Sequence, residues 1–121
     1  MSDTLARETG SGLYEQFARV GKAVASARRV ELLDLLCQGE RSVDALARTT
    51  GMTVTNTSQH LQVLLAAGLV GTRKAGTRVF YRVADDDVCR FFVGLCETAA
   101  ARLAEIERLV RAYADGDGFE K

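Results

Sequence analysis

Three cysteines and a single histidine are the side chains of this sequence best suited to covalent or metal chemistry. Cys37, Cys89 and Cys96 form no CxxC motif, and their odd number favours free thiols over a disulfide framework. His60 has no second histidine, cysteine or paired base at a useful spacing. We therefore predict no catalytic residue, no metal site and no cofactor. A thiol-disulfide enzyme is the alternative that the cysteines leave open.

A basic stretch without acidic residues is the second feature with chemical consequences. The whole chain is neutral, with 16 Lys plus Arg against 16 Asp plus Glu, yet no acidic residue lies between Asp44 and Asp85. The basic residues of that interval are Arg48, Arg73, Lys74, Arg78 and Arg82. A local excess of this kind favours binding to a polyanion, although basic residues of a hairpin can also serve solubility alone.

Apolar periodicity predicts five helices that would position these residues. The first has Leu13, Phe17, Val20 and Val24 on one face. The next three are expected at about 27–37, 43–50 and 54–67, with Ser42 and Thr53 as N-caps of the last two. A long helix should open at about residues 85–87 and continue to about residue 113.

Two features between these helices predict the fold class. The short helices at 43–50 and 54–67 form a helix-turn-helix, and a β-rich stretch around Ala75-Gly76 forms a hairpin, or wing. We predict a mainly α fold with a small β-hairpin: a winged helix-turn-helix of five helices plus a two-stranded wing. Residues 11–114 are assigned to one domain, and residues 1–10 and 115–121 to flexible tails.

The fourth helix is expected to read double-stranded DNA. Val54, Leu61, Leu64 and Leu65 should face inward, which leaves short or amide side chains outward that suit base edges in a major groove. The predicted contacts of this helix are Thr53, Thr55, Asn56, Ser58, Gln59, His60 and Gln62. The predicted phosphate contacts of the wing are Arg73, Lys74, Arg78 and Arg82. For His60 a solvated surface position remains the alternative.

The stretch SVDALARTTGMTVTNTSQHLQVLLAAGLVGTRKAGTRVFYRV resembles the helix-turn-helix and wing of the ArsR/SmtB repressors. The resemblance implies a homodimer, paired through the first and last helices, that binds an inverted-repeat operator and leaves it when an inducer arrives. The long apolar stripe of the last helix independently agrees with a dimer interface, although part of it should pack within the chain. A dimerisation module that has lost its DNA role is a further alternative.

The metal sites of that family do not carry over to this sequence. Where arsenic, cadmium and lead sensors have a cysteine pair in a motif like ELCVCDL, this chain reads ERSVDAL, with Ser42 and Asp44 in place of the thiols. The last helix also contains no histidine, whereas zinc and nickel sensors place histidine ligands there.

The cysteines resemble the thiol-based branch of the family instead, which responds to sulfide, persulfide or oxidants. Cys89 and Cys96 lie about 10.5 Å apart along one helix, too far to bridge, because a disulfide needs Cα atoms within about 7 Å. The resemblance implies that Cys37 and Cys96 are the sensing thiols and become linked, although both are displaced by about one turn from the family positions. Cys89 is the third candidate. All three can equally be small buried hydrophobes.

A soft metalloid, such as trivalent arsenic or antimony bound by thiols of both subunits, is the rival inducer. The sequence also resembles DNA-binding halves of rhodanese-fused members of the family.

The sequence also bears on the compartment. No apolar run reaches the length of a membrane span, and the N-terminus lacks a signal-peptide pattern, so we expect a cytoplasmic protein without a membrane partner.

Overall fold

A computed structural model describes the backbone of residues 3–116 and the side chains of residues 12–116. The described chain contains five helices and three short strands. In chain order they are α1 (Asp3–Ala23), α2 (Ala27–Gln38), β1 (Arg41–Ser42), α3 (Val43–Thr50), α4 (Val54–Ala66), β2 (Val70–Ala75), β3 (Arg78–Val83) and α5 (Asp86–Ala114). The predicted mainly α winged helix-turn-helix is confirmed, with β1 as an additional strand.

The ends of the chain differ in part from the sequence-based assignment. Helix α1 begins at Asp3 and so extends through residues that we had expected to form a tail. The sequence Leu5-Ala6-Arg7-Glu8 has high helix propensity, which sustains a helix without an apolar stripe. The C-terminal tail predicted for 115–121 lies outside the described residues from position 117 onward.

The chain divides into two compact units, residues 1–89 and 90–121. The first contains α1 to α4, the sheet and the first turn of α5, and the second contains the remainder of α5. Within the described residues, no helix has the length and apolarity needed to cross a membrane.

Side-chain caps fix the helix-turn-helix. The Ser42 hydroxyl accepts a hydrogen bond from the Ala45 amide at 3.1 Å, and the Thr53 hydroxyl accepts one from the Asn56 amide at 3.0 Å. Between the two helices, Gly51 ends α3 in the left-handed conformation at φ 75°. Residues with a side chain rarely adopt this conformation, and glycine adopts it readily. The chain therefore turns sharply between α3 and α4, where the cap residues predicted it.

The wing is an antiparallel sheet in the order β1-β3-β2. Strands β2 and β3 pair from Val70 with Val83 to Ala75 with Arg78, which leaves Gly76 and Thr77 as a two-residue loop. Gly76 has φ 66° at the first loop position, as a tight hairpin of this length requires. Strand β1 pairs with the other side of β3, so the wing is fixed at its base to the start of α3.

A leucine core orients α4. Leu61 and Leu64 are completely buried, as are Leu32 and Leu33 of α2 and Leu46 of α3. One predicted core position is wrong, because the Val54 side chain is 50% exposed rather than buried. Val54 is the first residue of α4, and the buried residues of this helix begin at Thr57.

Candidate nucleic-acid interface and cysteine pair

The outward face of α4 presents most of the residues predicted to contact bases. Thr55, Asn56 and Gln59 are exposed, and Ser58 and His60 are partly exposed. None of these side chains is acidic, and the side chains that alternate with them are the buried Thr57 and Leu61. The first two turns of α4 therefore offer hydroxyl and amide groups to an outside partner.

Thr53 has a structural role in addition to the predicted contact. Its hydroxyl caps α4 through the Asn56 amide, and its carbonyl accepts hydrogen bonds from the amide and hydroxyl of Thr57. Thr53 therefore lies at the N-terminus of α4, the positive end of the helix dipole, where an anion is favoured.

Gln62 and His60 already have side-chain partners within the chain. The Gln62 amide donates to the Tyr81 hydroxyl at 3.3 Å, which connects α4 to strand β3. Burial raises the pKa of Tyr81, while the hydrogen bond from Gln62 lowers it. The His60 Nδ1 lies 3.3 Å from an Arg29 guanidinium nitrogen, and Arg29 also donates to the Ala23 carbonyl of α1. These two side chains therefore brace α4 against its neighbours.

The wing presents all four predicted phosphate contacts to solvent, although one of them is paired with an acidic residue. Lys74, Arg78 and Arg82 are exposed on β2 and β3. Arg73 is exposed as well, but its guanidinium makes hydrogen bonds of 2.8–3.0 Å to both carboxylate oxygens of Glu40 and lies 4.6 Å from the centroid of the Phe80 ring. Arg73 is thus held by an acidic partner that lies outside the acid-free stretch.

Glu40 is a residue of this surface that the sequence did not reveal. Its pKa is lowered, first by the hydrogen bond with Arg73 and also by the charges of Arg73 and Arg82. The same pair raises the pKa of Arg73. No sequence signal predicts this contact, because it depends on the pairing of β1 with β3 that brings the end of α2 to the wing.

The structure corrects the predicted cysteine pairing. Cys37, in the last turn of α2, is joined by a disulfide to Cys89, in the first turn of α5, with their Cα atoms 5.8 Å apart. Cys96 is the free cysteine of the described residues and is partly buried. The Cys37–Cys96 link is therefore wrong: α5 brings Cys89 to Cys37, and Cys96 lies two turns farther along the same helix. The expectation of three free thiols is wrong for the same reason.

Within the described residues, nowhere do three or more His, Cys, Asp or Glu side chains come close enough to hold a metal ion together. His60, with its Arg29 partner, is not part of any such group.

The comparisons with known proteins agree with this geometry. The family model described as bacterial regulatory protein, arsR family, matches residues 26–72, from the N-cap of α2 to β2. The solution structure of the homodimeric winged helix-turn-helix DNA-binding domain Mb0332 from Mycobacterium bovis, a possible ArsR-family regulator, is 47% identical. It superposes with a TM-score of 0.73, covering 83% of this chain and 88% of that one. The chain belongs to the ArsR family of bacterial regulatory proteins.

Two curated relatives show how far the ArsR-family likeness extends. HTH-type transcriptional regulator Rv0324 of Mycobacterium tuberculosis is 49% identical over 79% of this chain, which spans 42% of that protein's length. The arsenical resistance operon repressor of Bacillus subtilis is 34% identical over 67% of this chain and 78% of its own length. This ArsR-family chain therefore shares its helix-turn-helix and wing with regulators of different size.

Proposed function

We propose that this ArsR-family chain is a transcriptional repressor that binds an inverted-repeat operator in double-stranded DNA as a homodimer. The observation that supports this most is the exposed, acid-free polar face of α4 beside the exposed basic side chains of the wing. Phosphate contacts from Lys74, Arg78 and Arg82 would position the protein, and base contacts from α4 would select the sequence. Binding should fall with salt, with a log–log slope of about 6 to 10 for a dimer.

Apolar side chains that face solvent support the homodimer. Five of them, each at least half exposed, follow helical spacing in the second half of α5: Leu103, Ile106, Leu109, Val110 and Tyr113. On α1, Tyr14 and Phe17 are also more than half exposed and contact each other edge to face. Clusters of exposed apolar side chains are typical of interfaces between subunits. A symmetric dimer would present two α4 helices, which matches an inverted repeat.

A salt titration tests the DNA-binding proposal. We expect the wild-type protein to bind its own promoter in fluorescence anisotropy, and Arg78→Ala with Arg82→Ala to bind at least tenfold more weakly. The salt slope should fall by about 4, since two phosphate contacts are lost in each protomer. Arg19→Ala with Arg108→Ala removes the same charge elsewhere and should bind as the wild type. Unchanged affinity in the Arg78 and Arg82 variant would exclude the wing from DNA binding.

We also propose that thiol chemistry at Cys37 and Cys89 controls release. In the reduced protein a thiolate would attack the sulfane sulfur of a persulfide R–S–SH, expel R–S⁻ and become a cysteine persulfide. The second thiolate would then attack the inner sulfur, expel HS⁻ and close the disulfide. Two thiolates and one persulfide thus give one disulfide, one thiolate and one hydrosulfide ion. Another two-electron oxidant would give the same disulfide.

The segment between Cys37 and α3 could transmit this change to the wing. It contains Glu40, which holds Arg73, and Arg41, whose strand pairs with β3 opposite Tyr81. Closing a bond at Cys37 restrains this segment, and with it both Arg73 and the start of α3. The oxidised form is expected to bind DNA more weakly than the reduced form.

Cysteine variants test the control mechanism. Cys37→Ser and Cys89→Ser should each retain DNA after persulfide treatment, whereas Cys96→Ser, the matched control, should release it as the wild type does. Release from Cys89→Ser would contradict the pairing. The name of the Bacillus subtilis relative favours one alternative, a thiophilic metalloid bound by reduced thiols. Release by arsenite under strictly reducing conditions, without disulfide formation in mass spectra, would support that inducer instead.

A further inference from the structure

Val54 is an exposed apolar residue at the N-terminal end of α4, the helix proposed to lie in the major groove of DNA. Its side chain is 50% exposed, and it occupies the first helical position after the Thr53 cap. One exposed valine needs no explanation by itself, because single apolar side chains are common on protein surfaces. Val54 differs from such residues because it lies among the hydroxyl, amide and basic side chains of the proposed DNA-binding surface. Ser58 lies one turn later on the same face of the helix.

Val54 lines one wall of a cleft of about 230 Å³ between α4, the wing and the start of α3. Ser58 shares the α4 wall, while Arg78 and Val79 of β3 form the wall opposite. Two residues predicted to contact DNA, Ser58 and Arg78, thus line the same cleft as the valines. The cleft therefore includes part of the proposed DNA-binding surface.

The charge of the cleft indicates which part of DNA fits it. Asp44, in the first turn of α3, lines the cleft and is exposed, so its carboxylate offsets the charge of Arg78 and leaves the cleft with no net attraction for a phosphate group. A base edge carries no such charge, and among the bases thymine alone presents a methyl group in the major groove. Apolar contact with that methyl is a recognised way in which proteins distinguish thymine. Valine methyl groups supply this contact, and serine can bond to the neighbouring base edge.

We propose that Val54 is a specificity-determining residue that reads a thymine in each half-site through its C5-methyl group. The inference rests on the proposed DNA binding and adds which base is read and by which atoms. Burial of one methyl group corresponds to about a fourfold gain in affinity for each half-site. Removing both methyls of a symmetric pair should cost about 15-fold.

The test replaces thymine by uracil, which lacks only the methyl group. An operator is first selected from a random duplex library with the wild-type protein, and each thymine pair of the two half-sites is then replaced by deoxyuridine. Wild-type protein should lose about 15-fold in affinity at one symmetric pair. Val54→Ala should bind the thymine and uracil forms of that pair equally. Val63→Ala, 39% exposed in the second half of α4, should retain the wild-type preference.

The outcomes separate this inference from the function on which it rests. If no sequence is selected, the DNA-binding proposal fails and the inference fails with it. If an operator is selected but has no thymine that responds to uracil, only the reading by Val54 is wrong. The same holds if Val54→Ala retains the full preference. Equal thermal unfolding of the two valine variants would show that neither result reflects a folding defect.

Discussion

At Arg73, one guanidinium has two competing partners: Glu40 in the structure and a phosphate in the proposed complex. The pair is bidentate, with three hydrogen bonds of 2.8–3.0 Å, and Phe80 lies beneath it. The Glu40 carboxylate is ionised at neutral pH, and because Arg73 lowers the pKa of Glu40, the pair persists to a lower pH than an unperturbed glutamate would allow. The contribution of this pair to folding stability is present above the ordinary pKa of glutamate and is lost as the pH falls through the lowered pKa.

We therefore expect Glu40→Gln to bind the operator more tightly than the wild type at neutral pH. Removing the carboxylate frees Arg73 for a phosphate, which should steepen the log–log salt slope by about 2 in a dimer. Glu31→Gln is the matched control, because it removes the same charge from the Arg28 pair on α2. Anisotropy titrations at several salt concentrations measure both quantities. An unchanged slope for Glu40→Gln would show that Arg73 does not contact phosphate.

The residue scale also shows what sequence could not supply. The polar face of α4 followed from the spacing of its leucines, and its exposed members were identified correctly. Val54 was misplaced because helical periodicity does not show where a helix extends beyond the core that it packs on. Glu40 and the Cys37–Cys89 disulfide were missed because both depend on contacts between residues distant in sequence.

Among the elements, α4 combines a structural and a binding role at its first turn. The Thr53 hydroxyl accepts a hydrogen bond from the Asn56 amide at 3.0 Å. We expect Thr53→Ala to lower the free energy of unfolding by about 1 kcal/mol, measured by urea denaturation. Thr53→Asp should retain the cap and the stability but weaken DNA binding at least tenfold, because it adds a negative charge beside the phosphates. An aspartate variant that binds like the wild type would place the helix start away from DNA.

The disulfide links two elements across a sequence separation of 52 residues. Loop closure of that length corresponds to about 4 kcal/mol in the chain-entropy model. We expect the oxidised wild type to lose about 2–4 kcal/mol of unfolding free energy on reduction or in Cys89→Ser. Oxidised Cys96→Ser should be as stable as the wild type. Equal stability of oxidised wild type and Cys89→Ser in urea would contradict the pairing.

The elements themselves were largely predictable, for local reasons. Ser42, Gly51 and Thr53 mark the ends of α3 and α4, and their preferences for caps and turns operate within a few residues. Gly76 marked the hairpin in the same way. Strand β1 was not predictable, because two residues carry no period and form a strand only by pairing with β3.

For the whole molecule, the proposed function requires two copies of the chain. Ile106→Asp places a charge within the exposed apolar face of α5, where Ile106 is 56% exposed. We expect this variant to be monomeric in analytical ultracentrifugation and to bind the operator at least tenfold more weakly, because simultaneous binding of both half-sites is lost. Ala104→Asp, on the opposite side of the helix, should remain dimeric. A dimeric Ile106→Asp variant would exclude this face as the interface.

The claim that α4 and the wing form the DNA-binding surface can be tested residue by residue by NMR. Backbone amide shifts of the isotope-labelled protein would be followed while the selected operator duplex is added. The account predicts the largest changes at Thr55, Asn56 and Gln59 of α4 and at Arg78 and Arg82 of the wing. It would be contradicted if an operator that binds tightly left these amides unchanged and shifted only residues of α2 or the second half of α5.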